Sequence, residues 1–87
     1  MHDVEFEKVR QTIQAFLELY RGKRNWVSDH EIAGQVIHGD VDDQFVRAVM
    51  SVLALFGLVV TAQYDHPAYA LQTKNELVRQ VTLGSLP

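Results

Sequence analysis

Ser28, Asp29 and His30 supply the hydroxyl, carboxylate and imidazole of a hydrolytic relay in consecutive positions. Neighbouring residues of a helix point about 100° apart, so these side chains cannot converge on one reacting atom. Ser28 has a simpler use, because its spacing to Glu31 is that of a capping box. The histidines are His2, His30, His38 and His66, and none lies four residues from another, as a paired helical metal site requires. A zinc site from His30, His38 and nearby carboxylates is the metal arrangement left to weigh; His38 reads more simply as a residue favoured at a helix C-terminus. Gly22, Gly34, Gly39, Gly57 and Gly84 are scattered singly, so no phosphate-cradling loop is present. These residues predict no catalytic site, no metal, no cofactor and no small-molecule substrate.

Positive charge concentrates only at Arg21, Lys23 and Arg24, beside Asn25 and Trp26. One reading is a solvated helix end complementing the negative end of the dipole. The other is a phosphate-contacting patch, to which Arg47 could add. The net charge of −3 offers no general attraction to nucleic acid or to anionic lipid.

The 87 residues fit one domain, spanning 1–87, and 47% apolar against 22% charged residues is a globular balance. With no cysteine there is no disulfide framework, and a reducing, cytoplasmic home is expected. The N-terminus carries no secretory pattern, and the apolar run Val49 to Val60 is too short to span a bilayer.

Phe6, Val9, Ile13, Phe16, Leu17 and Tyr20 recur at gaps of three and four, predicting a helix from Val4 to Arg21. A short strand at Asn25–Val27 leads to a second helix, capped by Ser28, stapled by Val27 and Ile32 and ended by Gly39. Asp40 or Asp42 caps a third helix that buries Val46, Val49, Met50 and Leu53 and stops at Gly57. Leu58 to Tyr64 alternates as a strand, and Asp65-His66-Pro67-Ala68 is a turn. Pairing Tyr64 with Tyr69 sets Ala62 opposite Leu71. A short C-terminal helix begins at Thr73, spaced from Glu76 as a second capping box, with Leu77, Val78 and Val81 inward.

The fold class is therefore α+β, mostly helical, in the order helix, strand, helix, helix, hairpin, short helix. From Trp26 to Thr73 the chain resembles the winged helix-turn-helix superfamily of small bacterial and archaeal regulators. The residues carrying the likeness are Val46, Val49, Met50 and Leu53, then Leu53-Ala54-Leu55-Phe56-Gly57-Leu58-Val59 leading into the hairpin. The resemblance implies a recognition helix that enters the major groove and a basic wing, in a transcription regulator or a part of the replication machinery. Helix three departs from that pattern. It opens on Asp40, Asp42 and Asp43 with Arg47 as its one base, and the hairpin holds no lysine or arginine.

The same helix carries a second apolar stripe, Phe45, Ala48, Val52, Leu55 and Phe56, about 120° from the buried one. Either another part of the chain covers it or a protein partner does, most simply a second copy across a two-fold axis. Asp43 and Arg47 border the stripe and could pair at the rim of such an interface. The expectation is a non-enzymatic winged-helix module that forms a homodimer or docks a protein through this stripe. The alternative is a DNA-binding regulator using Arg21, Lys23, Arg24 and Arg47; DNA binding is expected to be weak, and no membrane contact is expected.

Overall fold

A computed structural model describes residues 3–23, 25–36, 41–75 and 78, with the side chains of Asp3, Val4 and Lys23 outside that description. It is a small α+β domain: α1 (Asp3–Lys23), β1 (Val27–Ser28), α2 (Asp29–Gln35), α3 (Asp43–Leu55), β2 (Val59–Gln63) and β3 (Pro67–Leu71). No helix among the described residues is long and apolar enough to cross a membrane.

The boundaries of α2 and α3 follow from local chemistry. The Ser28 hydroxyl accepts the Glu31 N–H at 3.1 Å while Glu31 Oε1 accepts the Ser28 N–H at 3.1 Å, a complete capping box. Val27 and Ile32, flanking it as a hydrophobic staple, are both fully buried. Ser28→Ala is expected to lower unfolding free energy by about 1 kcal/mol, measured by urea denaturation, because the Glu31 N–H loses its side-chain acceptor while the backbone N–H of residue 28 keeps Glu31 Oε1. Asp42 caps α3 by accepting the Phe45 N–H at 2.8 Å. At the far end the Leu58 N–H reaches Leu53 O and the Gly57 N–H reaches Ala54 O, both at 3.0 Å. This paired closure needs a left-handed residue, and Gly57 has φ +74°.

The α2 helix ends at Gln35, earlier than the Gly39 stop implies, because Val36 turns into extended backbone at φ −82°, ψ 99°. Ile37 to Asp40, including His38, lie outside the described residues. Beyond β3, the Asn75 Oδ1 accepts the Val78 N–H at 3.3 Å, and the expected Thr73–Glu76 box falls on a residue outside the described ones. Glu76, Leu77 and Val81 are outside the described residues.

The sheet is antiparallel in the order β1-β3-β2. Tyr69 faces Thr61 and Val59 faces Leu71, so the expected Tyr64–Tyr69 pairing is off by three residues. A shift by an odd number exchanges the faces: Val59 is buried, whereas Val60 and Ala62 are half-buried. The correction has a cause in β1, which adds Val27 opposite Tyr69 and Ser28 opposite Ala68. Tyr69 is thereby held in the core with Ala15, Phe16, Val27, Ile32, Val46, Met50 and Val59. Leu53, expected in the core, packs against it half-buried.

Candidate functional site

The β1–β3 pairing sets the site. Ser28 opposite Ala68 carries the antiparallel register on, beyond the strands, toward His30 and His66, and the two rings lie 5.6 Å apart. Asp29 opens α2, where the positive end of the helix dipole favours a carboxylate. It is fully buried. Its Oδ1 accepts the His30 N–H at 2.7 Å and lies 3.2 Å from His66 Nδ1.

The N-terminal turn of α3 completes the cluster, because α2 and α3 pack together. Asp43 Oδ2 lies 3.3 Å from His30 Nδ1. Arg47, one turn further along α3, directs Nε to 3.6 Å from Asp29 Oδ2. That distance permits an ion pair but exceeds hydrogen-bond length, and Asp29 Oδ2 is left without a hydrogen bond. Burial holds the Tyr69 phenol above its usual pKa; the Asp29 charge adds to this and Arg47 opposes it.

Asp29, Asp43 and His66 each offer one ligand atom, and these atoms lie within 4.8 Å of one another. A buried carboxylate beside an imidazole is also the orienting half of a hydrolytic relay. The other half is missing among the described residues: the polar contacts of the two rings are to Asp29 and Asp43, and the Ser28 hydroxyl is occupied as a cap. As its spacing implies, Ser28-Asp29-His30 does not converge. His66, which converges on Asp29 from the hairpin tip, is the residue that sequence reasoning missed.

The nominated interface residues fall along one face of α3. Val52, Leu55 and Phe56 are 50%, 85% and 72% exposed, Ala48 is exposed and Phe45 is half-buried. No cover comes from α1, which packs elsewhere on α3. Asp43 and Arg47, suggested as a rim pair between two copies, lie within the chain beside His30 and Asp29 respectively. Of the basic residues, Arg21 is exposed and borders an open hollow on α1 with Arg10, Ile13, Gln14, Leu17 and Glu18. The Lys23 side chain and Arg24 are outside the described residues. Compared with known proteins, the chain matches no family model, no curated protein and no solved structure.

Proposed function

We propose that this chain is a non-catalytic winged-helix interaction module and that its partner is a second copy of itself. The exposed stripe Val52, Leu55 and Phe56 carries the reading. These large apolar side chains occupy one face at the C-terminal end of α3, and contiguous apolar patches of this kind mark association surfaces. A neighbouring feature supports a self-complementary contact. β2 is an edge strand, and Val59-Val60-Thr61-Ala62-Gln63 contains none of the charges or prolines that ordinarily protect an edge. Only Gly57 and Leu58 separate the stripe's last residue, Phe56, from the edge strand, so a two-fold contact could use both. Light scattering at micromolar concentration should report twice the chain mass; a monomer at high micromolar concentration overturns the reading.

Docking on DNA through the start of α3 is disfavoured by Asp42 and Asp43 and by the engagement of Arg47 with Asp29. Duplex binding should be weak and insensitive to sequence, with a shallow dependence on salt because few counterions are released. Fluorescence anisotropy with random and genomic duplexes tests this. Tight binding to one sequence at physiological salt would favour a DNA-binding regulator instead.

A further inference from the structure

We infer that Asp29, Asp43 and His66 form a binding site for a divalent transition-metal ion of the zinc class, with His30 orienting Asp43. This inference is independent of dimerisation. It starts from the carboxylate of Asp29, fully buried yet holding an oxygen, Oδ2, that accepts no hydrogen bond. A buried carboxylate oxygen left in this state is costly, and a cation is the ligand that relieves it. Arg47 forms an ion pair with this oxygen, but at 3.6 Å its Nε is too far to hydrogen-bond, and its side chain is half exposed. A divalent ion would replace it as countercharge.

The donor set selects the ion. Two carboxylates and an imidazole suit zinc, cobalt or nickel, whereas magnesium and calcium take all-oxygen shells. Ligand atoms on one tetrahedral ion lie about 3.3 Å apart, as bonds of about 2.0–2.1 Å require. Asp29 Oδ1 and His66 Nδ1 are already at 3.2 Å, and the three-residue set spans no more than 4.8 Å. The ligands come from rigid helix starts and a turn: Asp29 opens α2, Asp43 opens α3, and His66 sits in the β2–β3 turn. His66 and Asp43 are partly exposed, which leaves a path for the ion and room for water to complete its shell. The His30 ring, at 3.3 Å from Asp43 Oδ2, fixes that carboxylate, as partners of metal ligands commonly do. A bound ion would fasten the hairpin tip to both helices.

The full chain, stripped with EDTA and desalted, should be titrated with zinc chloride by calorimetry and with cobalt chloride by visible absorption. One ion per chain is expected, with micromolar or tighter affinity, a cobalt spectrum of low-coordinate type and a raised melting temperature. His66→Ala and Asp43→Asn should each weaken zinc by about tenfold or more, and His30→Ala by less. Asp29→Asn should do the same; should it fail to fold, the His66 and Asp43 variants, whose side chains are not fully buried, carry the test. Absence of binding at micromolar chain and metal overturns the inference. So does binding that survives both His66→Ala and Asp43→Asn, which would place the ion elsewhere. Competition by magnesium at equal concentration would overturn the assigned class of ion.

Discussion

Phe16→Ala should lower the unfolding free energy by about 3–5 kcal/mol, the range for truncating a buried aromatic side chain. Phe16 is 1% exposed, on the inner face of α1, with the Tyr20 ring 5.8 Å away and β1, α2, α3 and the sheet contributing to the same core. A chain of 87 residues has a total stability on the order of 4–13 kcal/mol, so this single change consumes much of it. Leu53→Ala should cost less than Phe16→Ala, because Leu53 keeps contact with water and its neighbours can relax toward the gap. Urea denaturation of both variants decides the matter. A loss at Phe16 below about 1 kcal/mol would mean that α1 does not close the core in the manner described.

Phe16 was recognisable in the sequence for the same reason that it is buried: it lies on a stripe whose period is set by the helix alone. The Ser28–Glu31 box and the Gly57 closure were equally legible, and the α3 cap was narrowed to Asp40 or Asp42, since each is completed within a few residues. Strand register is different. Leu58 to Tyr64 has apolar residues at both parities, with Val59 and Val60 adjacent, so alternation alone does not say which set faces inward. The choice is made by β1, two residues long and distant in sequence, which brackets Tyr69 from the other side. The candidate metal site depends on that same pairing. With Tyr64 set against Tyr69, His66 is an isolated tip residue; with Ser28 against Ala68, it reaches Asp29. The burial of Asp29, which makes its carboxylate require a partner from elsewhere in the chain, is a product of packing and is not marked in the sequence.

Leu55→Glu and Phe56→Glu should each convert a dimer into a folded monomer. Both residues lie largely in water, 85% and 72% exposed, so a charge there disturbs no interior packing within the chain. In an interface the same glutamate would be desolvated without a partner, which costs several kcal/mol and is doubled by two-fold symmetry. The stripe has enough apolar surface for this to matter. Fully burying a side chain the size of Leu or Phe contributes about 1.5–3 kcal/mol, and Val52, Leu55 and Phe56 enter twice, once from each copy. That total is comparable with an association cost of about 4–15 kcal/mol, so removing one residue per copy shifts the balance. The expected result is a halved mass by light scattering with an unchanged circular dichroism spectrum. If the glutamates unfold the chain, the stripe is covered from within; if the mass stays that of a dimer, the copies meet through another surface, with the unprotected β2 edge the first to examine.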